Sequence, residues 1–266
     1  MEVALVRDVP DSFEGALRAA SGPALDPSLA RKQHGEYVAR LETAGYFIER
    51  IAADERHPDC VFVEDAAVVM GPVAVIARSG AASRRGEIGP VAQALSSRFS
   101  LAAINAPGTL DGGDVMQIGS RLFVGRSTRT NDDGIAQLAA IADRVGVTIT
   151  EVEVRDALHL KSVVLPLDGK TVLVTPDSVD ETALDGLRVI YEAERHRSSA
   201  LPLRNGRVLV IDGAPETADR LTQAGYDVDL IDVSELQAAD GGLTCLSILF
   251  EEPLPVAEDV RQDEGS

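Results

Sequence analysis

The sequence has few of the residues that build cross-links and metal sites. It contains two cysteines, Cys60 and Cys245, and no tryptophan among its 266 residues. Two cysteines in so long a chain exclude a disulfide framework, and without a C-x-x-C pair the sequence lacks a zinc signature. We therefore expect two free thiols and no metal site.

The sequence also lacks a long apolar segment and a basic leader. The longest apolar run without a charge covers residues 66–77, far fewer than the roughly 20 residues that a membrane span needs. The first residues, "MEVALVRDVPDSFEG", carry acids where a signal peptide has a basic start. These features predict a cytoplasmic protein with no membrane partner.

Basic residues are scarce as well. Lysine and arginine total 25 against 43 acidic residues, which gives a formal net charge of −18. Binding to nucleic acid requires stripes of basic side chains that neutralise phosphates. The composition thus excludes a nucleic-acid partner and favours a small cationic ligand.

What is present is a recurring unit of strand, glycine turn, strand and helix. Three hairpin patterns carry it, "VMQIGSRLFVG", "VVLPLDGKTVLVT" and "LRNGRVLVIDG", with turns at Gly119, Asp168-Gly169 and Asn205-Gly206. Helical patterns follow each of them: one capped by Asn131 or Asp132, then "DETALDGLRVI", then "APETADRLTQAG". An earlier unit pairs the strands of 66–77 with the helix pattern "GPVAQALSSRF".

This recurrence predicts an α/β fold with internal pseudo-repeats. A doubly wound sheet is the usual alternative, but its G-x-G-x-x-G fingerprint is missing. No linker divides the chain, so we expect one domain over residues 1–250 and a disordered acidic tail over residues 251–266.

Cys245 is the first candidate for a reactive group. It follows the aspartate and two glycines of "AADGGLTC" and precedes an apolar strand pattern. A buried packing cysteine gives the same pattern, whereas a loop that enters a strand is a usual place for a nucleophile. A nucleophilic cysteine requires a histidine partner. His34 lies in a helix pattern, and His57 and His196 lie in charged stretches, so His159 in "DALHLKSVVLP" is the best partner, although a core histidine remains an alternative.

Two acidic clusters flank predicted strands. "PDCVFVEDAAVV" contains Asp59, Glu64 and Asp65, and "TLDGGDVMQIG" contains Asp111 and Asp114. Acids at strand ends commonly face water, but paired acids also suit a planar guanidinium, which has five donors in a rigid fork. Arginines in "SRRGE" and "VGRSTRTN" could hold the carboxylate of an amino-acid ligand.

Six motifs in order, "PDCVFVED", "SRRGE", "TLDGGDV", "FVGRSTRTN", "LHLKS" and "DGGLTC", closely resemble the dimethylarginine dimethylaminohydrolases of the guanidino-modifying, pentein superfamily. The resemblance covers about residues 12–250. It implies a five-bladed α/β propeller of ββαβ units around a central active site. It also implies hydrolysis of Nω-methylated arginines to citrulline and an alkylamine through a covalent Cys-amidino intermediate. This reaction would need no cofactor. The resemblance leaves open whether the protein is a homodimer.

The resemblance implies a role for each matched residue. The catalytic group would be the nucleophile Cys245, the general acid/base His159, and Asp111, which would orient the histidine or bind the guanidinium. Substrate-binding residues would be a lid residue, Leu17; an α-amino contact, Asp59; guanidinium contacts, Glu64 and Asp65; α-carboxylate clamps, Arg84 and Arg129; and supporting residues, Ser162, Ala239 and Asp240. Ala239 is smaller than the Val or Ile expected there, which makes its backbone contact the least secure.

Two alternatives remain at this point. One is an arginine deiminase that releases ammonia from free arginine, although such enzymes are longer chains with extra elements. The other is a non-catalytic protein that binds cationic amino acids, which would need neither Cys245 nor His159.

Overall fold

The computed structural model describes residues 1–20, 22–194 and 199–253. These residues form five sheets of three strands each. In chain order the elements are β1 (Glu2–Arg7), α1 (Pro27–Thr43), β2 (Phe47–Ile51), β3 (Ala67–Met70), β4 (Val73–Ile76), α2 (Ile88–Ser96), β5 (Ser100–Ala103), β6 (Val115–Ile118), β7 (Arg121–Arg126), α3 (Asp132–Asp143), β8 (Thr148–Glu153), β9 (Val164–Pro166), β10 (Thr171–Val174), β11 (Arg188–Tyr191), β12 (Ala200–Pro202), β13 (Arg207–Ile211), α4 (Pro215–Gln223), β14 (Asp227–Ile231), α5 (Ser234–Ala238) and β15 (Ser247–Glu251).

Every sheet repeats one pattern of pairing. Two strands form an antiparallel pair, and a third strand pairs in parallel with the second, as in β6, β7 and β8. A helix connects the second and third strands in four of the sheets and a single 3-10 turn connects them in the sheet of β9, β10 and β11. Five such units make the five-bladed α/β propeller that the family resemblance implies, and they confirm the α/β fold with internal repeats that the sequence pattern predicts.

One blade joins the two ends of the chain. β15 pairs antiparallel with β1, so that Val3 lies opposite Phe250, and β1 pairs in parallel with β2. The side chains of residues 3–6 are fully buried. This pairing closes the ring of blades, because the last strand completes the sheet that the first strand begins.

Local chemistry explains where hairpins and helices begin. Gly119 and Gly206, at two predicted turns, have φ values of 59° and 83°, a backbone conformation that glycine adopts without steric cost. Asn131 caps α3 by accepting from the N–H of Gly134 at 2.9 Å. Asp26 caps α1 in the same way, with Pro27 as the first helical residue.

Three predictions need correction or limitation. The helix predicted for "DETALDGLRVI" is wrong: only Glu181–Leu184 form a 3-10 turn, Gly186 follows at a φ of 84°, and the β-branched residues after it belong to β11. β15 extends to Glu251, into the predicted tail, and residues 254–266 lie outside the described residues.

Within the described ranges, every helix is too short or too polar to cross a membrane.

Candidate active site

Loops from around the propeller enclose a cavity of about 250 Å³. Most of the site residues predicted from the sequence lie in its wall; the exceptions are Glu64, Asp111 and Ser162. The wall consists of Leu17, Arg18, Ala19, Asp59, Phe62, Asp65, Arg84, Arg129, Leu158, His159, Ala239, Asp240, Gly241 and Cys245.

The reactive side chains occupy equivalent positions in different blades. A short 3-10 turn precedes the first strand of four blades, at Val63–Ala66, Gly112–Asp114, Leu160–Ser162 and Thr244–Leu246. Asp65 and Cys245 lie within such turns, and Asp111 and His159 come directly before them. The internal repeat therefore brings together residues that are far apart in sequence. His159 itself has an extended backbone, a 3-10 turn follows it, and β9 begins only at Val164.

His159 lies between two carboxylates. Its Nε2 atom is 3.1 Å from Oδ2 of Asp111, and its Nδ1 atom is 3.8 Å from Oδ1 of Asp65. Burial alone lowers the pKa of His159, but the charge of Asp65 and the hydrogen bond to Asp111 outweigh burial and raise the pKa to about 9. The imidazole is therefore a cation at neutral pH and can act as an acid.

Asp65 is held in its ionised form by two cations, Arg84 and protonated His159. Arg84 Nη1 donates to its Oδ2, and the N–H of Gly113 donates to its Oδ1 at 3.1 Å. Burial opposes ionisation, but the charges of His159 and Arg84 prevail and lower the pKa of Asp65 to about 2. A permanently negative carboxylate thus faces the cavity and can attract a guanidinium group.

The two arginines of the cavity differ in how far their donors are engaged. Arg84, besides Asp65, donates from Nε to Glu87 Oε1 at 3.0 Å and from Nη2 to the carbonyl of Phe62 at 2.9 Å. Arg129 Nη1 is buried without a hydrogen-bond partner among the described residues and lies 3.6 Å from Oδ2 of Asp111. An unpaired buried donor is costly, so Arg129 is well suited to receive an anionic group.

The Cys245 thiol is protonated in this environment. Its Sγ accepts from the N–H of Gly242 at 3.4 Å. Burial raises the pKa of Cys245 to about 12, and the negative charges of Glu64 and Asp65 contribute to this rise. A cation placed beside the sulfur would counteract both effects and favour the thiolate.

Glu64 is positioned differently from Asp65. Its carboxylate is 2.6 Å from Lys161 Nζ and accepts from Thr244 Oγ1 at 2.9 Å. It lies in the wall of a second cavity of about 310 Å³ rather than in the first cavity. A contact between Glu64 and a guanidinium thus stays a prediction. Thr244 and Lys161 were missed from the sequence, although each adjoins a candidate: Cys245 and Ser162, respectively.

The segment that carries Leu17 crosses the first cavity. The N–H of Leu17 donates to Oδ1 of Asp59 at 3.0 Å, and the N–H of Ala19 donates to Asp240. The Leu17 side chain is 42% exposed. Asp59 and Asp240 therefore hold the backbone of the predicted lid, and their contact with a substrate remains a prediction.

Other predicted residues support the wall. The N–H of Ser162 donates to the carbonyl of His159 at 3.1 Å and closes the turn behind the histidine. Ala239 is buried in the main hydrophobic core beside the cavity. Gly241 could not be replaced without movement, because a Cβ there would lie 2.1 Å from the Phe62 ring.

The remaining histidines lie elsewhere. His34 is buried in α1, and His57 Nδ1 is 3.0 Å from Asp54 Oδ2. His196 lies outside the described residues. Glu87, which pairs with Arg84, was also missed, because the sequence gives no sign that this acid is buried at 3% exposure.

The site offers one set of ligand atoms that a metal ion could use. Atoms of Asp65, Asp111 and His159 lie within 4.8 Å of one another. In the structure these atoms contact one another, Arg84 and Gly113 instead. The positive charges of Arg84 and of protonated His159 would oppose a cation there.

Comparison with known proteins places these residues in a family context. No family model matches the chain. Dimethylarginine dimethylaminohydrolase of Streptomyces coelicolor is 37% identical over 92% of this chain and 95% of the relative. A crystal structure of a dimethylarginine dimethylaminohydrolase adduct with S-methyl-L-thiocitrulline has a TM-score of 0.89 at 30% identity, covering 94% of this chain and all of the other. The Pseudomonas aeruginosa enzyme, crystallised as a cysteine-to-serine variant with citrulline, has a TM-score of 0.88 at 31% identity, covering 93% and 98%.

Proposed function

The chain belongs to the dimethylarginine dimethylaminohydrolase family, and from this premise we propose that it hydrolyses Nω-methylated arginines to citrulline and an alkylamine. The observation that carries the proposal is the convergence of Cys245, His159 and Asp65 on one cavity. The thiol can attack, the imidazolium can donate a proton, and the carboxylate can hold the cationic group that is attacked.

Substrate binding uses opposite charges at the two ends of the cavity. Asp65 attracts the guanidinium, and Arg129 receives the α-carboxylate with the nitrogen that makes no hydrogen bond within the described part of the chain. Arg84 contributes less to the carboxylate, because Asp65, Glu87 and Phe62 already engage its donors. Asp59 binds the α-amino group, and Leu17 covers the ligand.

The bound substrate activates the nucleophile. Its guanidinium lies beside Cys245, whose proton is lost to solvent as the positive charge arrives. The thiolate then forms a bond to the guanidinium carbon. Asp65 and the cavity wall hold that carbon in place, which matters because its delocalised charge makes it a poor electrophile.

His159 transfers protons in both halves of the reaction. It donates a proton to the methylated nitrogen, the C–N bond breaks, and the amine departs, leaving the amidino group on sulfur. The neutral imidazole next removes a proton from water, which attacks the same carbon. The C–S bond then breaks, the sulfur takes up the hydroxyl proton, and citrulline is released. Asp111 orients the ring throughout.

Every step uses protein groups, substrate and water, so the proposed reaction requires no metal or organic cofactor. We also propose a cytoplasmic location, because both cysteines are free thiols, the usual state of cysteines in a reducing compartment. A homodimer stays a prediction that the mass measured by light scattering would test.

The experiment is a comparison of citrulline formation from asymmetric dimethylarginine, monomethylarginine and arginine. We expect turnover of the methylated substrates at a higher kcat/KM than that of arginine. A preference for plain arginine would assign the chain to the deiminase alternative. Since one methyl group in an apolar pocket is worth only about 1–3 kcal/mol, the order of the two methylated substrates is decided by this assay alone.

A second measurement separates catalysis from binding. Cys245→Ser should bind the methylated substrate in calorimetry and release no citrulline. Substantial residual turnover by Cys245→Ser would remove this residue as the nucleophile. If the unaltered protein binds all three ligands and converts none of them, the protein is a cationic amino-acid binder.

A further inference from the structure

Asp114, the second acid of "TLDGGDV", is fully buried and does not contribute to the wall of the first cavity. Its carboxylate nevertheless accepts hydrogen bonds from two other segments. Oδ2 accepts from the hydroxyls of Ser127 at 2.6 Å and Thr130 at 2.7 Å. Oδ1 accepts from the backbone N–H of Leu160 at 2.9 Å.

We propose that Asp114 is a positioning residue that holds Arg129, His159 and Asp111 in the relative placement that the hydrolysis requires. The inference rests on the function proposed above. It is carried by the way in which each partner of Asp114 connects to one of these three side chains.

The first connection leads to Arg129. Ser127 Oγ, while donating to Asp114, accepts from the N–H of Arg129 at 3.0 Å and from the N–H of Thr130 at 3.3 Å. The turn after β7 is thus folded around one hydroxyl whose proton points to Asp114. This turn sets the direction in which the Arg129 guanidinium enters the cavity.

The second connection leads to Asp111. Thr130 Oγ1 accepts from the N–H of Asp111 at 3.2 Å while its own proton is donated to Asp114. Thr130 is buried, with 1% of its surface exposed. The backbone of the residue that orients His159 is therefore tied to the same carboxylate.

The third connection leads to His159 itself. Leu160, whose N–H donates to Asp114, directly follows His159 and begins the 3-10 turn behind it. Space around this contact is tight: a Cβ at Gly125 would lie 2.8 Å from Asp114 Oδ1 and 2.8 Å from Leu160 Cβ. The backbone at His159 consequently has little room to shift while Asp114 is in place.

The direction of these hydrogen bonds requires a carboxylate. Ser127 Oγ accepts two backbone N–H groups, which occupy both of its lone pairs, so it must donate its proton. Thr130 Oγ1 accepts one and donates its own proton to the same oxygen of Asp114, and only an acceptor can receive both protons. Asn at position 114 has the same shape, but its amide nitrogen is a donor. That nitrogen would face either the two hydroxyls or the N–H of Leu160, and those donors would be left unpaired. The negative charge of Asp114 also contributes to the raised pKa of His159.

The test uses Asp114→Asn, with the exposed acid Asp133 of α3 as the matched control through Asp133→Asn. For Asp114→Asn we expect kcat/KM for dimethylarginine to fall about 10- to 100-fold, the range for losing a hydrogen bond to a charged group, with kcat lowered and KM raised together. The NMR titration midpoint of His159, assigned by comparison with His159→Gln, should move to lower pH. Asp133→Asn should match the unaltered protein in all three quantities.

Ser127→Ala provides a second variant that removes one connection only. We expect it to raise KM through Arg129 while the His159 titration stays unchanged. If Asp114→Asn does not fold, an unchanged KM in Ser127→Ala overturns the proposal, and a raised KM with an unchanged titration supports it.

The His159 titration requires no substrate, so it tests the inference even if methylated arginines are not turned over. A folded Asp114→Asn protein whose His159 titrates as in the unaltered chain would overturn the positioning role. In a protein without methylarginine activity, a lowered midpoint in Asp114→Asn together with weaker dimethylarginine binding by Ser127→Ala in calorimetry would support the positioning role and refute only the proposed function.

Discussion

Replacing Glu64 by Gln should make the Cys245 thiol more acidic and more reactive. Burial and the charges of Glu64 and Asp65 raise the pKa of this thiol to about 12, while Lys161 acts in the opposite direction. Glu64→Gln removes one negative charge and leaves the ammonium that now lies 2.6 Å from it. The net change at the sulfur is therefore toward the thiolate.

The size of the effect follows from the distance. Glu64 contacts Thr244 at 2.9 Å, and Thr244 adjoins Cys245, one Cα spacing of about 3.8 Å further on, so the carboxylate lies on the order of 7 Å from the sulfur. At an effective dielectric constant of about 20, one charge at about 7 Å contributes roughly 2 kcal/mol. This energy corresponds to about 1.5 pKa units, or roughly a 30-fold change in the thiolate fraction below the pKa.

The assay is the rate of alkylation by iodoacetamide at a fixed pH near 9, in a Cys60→Ala background that removes the second thiol. Glu64→Gln should react roughly 30-fold faster than the parent protein. The double variant Glu64→Gln/Lys161→Met should react more slowly than Glu64→Gln, because it also removes the positive charge of Lys161 that favours the thiolate. An unchanged or slower rate in Glu64→Gln would refute this electrostatic account of the thiol.

Further predictions concern stability, binding and packing. Burial lowers the pKa of His34 from 6.5 to about 4, so as the pH falls the unfolded chain binds a proton at this residue before the folded chain does. The contribution of neutral His34 to the free energy of unfolding is complete above pH 6.5, and about 2 kcal/mol of it is lost at pH 5. Urea unfolding of the parent and His34→Gln at pH 7 and pH 5 should show that loss in the parent only. Arg129→Met should raise KM for dimethylarginine about 10- to 100-fold but leave KM unchanged for a methylated guanidine without a carboxylate; equal effects on both would contradict a carboxylate contact. Gly241→Ala should destabilise the fold by about 1–3 kcal/mol through the Phe62 ring, and Phe62→Leu in the same chain should recover part of the loss in thermal unfolding.

The sequence predicts those parts of the fold that depend on neighbouring residues. The hairpins at Gly119 and Gly206 and the cap at Asn131 are confirmed, because each needs only a local backbone conformation or a side chain one turn away. The pairing of Val3 with Phe250 could not be derived from periodicity, since no local signal connects the two ends of a chain. The helix predicted near Gly186 is wrong because pairing with β10 prevails over a weak helical pattern.

The acids of the site also show how little local sequence pattern can predict about burial. By local pattern, carboxylates at strand ends commonly face water, yet Asp65 and Asp111 are buried at 4% and 0% exposure. Their burial is possible because Arg84, from the same blade, pairs with Asp65, and His159, from another blade, pairs with Asp111. Local pattern could suggest a cationic ligand and offer His159 as the best partner of Cys245, but only the resemblance to a family could give the two residues their catalytic roles before the fold was known.

The most direct test of the central claim is mass spectrometry of the protein quenched with acid during turnover of asymmetric dimethylarginine. We predict an adduct on the peptide that contains Cys245, with the mass of the substrate less that of dimethylamine. Monomethylarginine should give the same adduct, since the methylated nitrogen has left in both cases, and Cys245→Ser should give none. An adduct on Cys60, or adducts that retain the methyl groups, would contradict the proposed reaction.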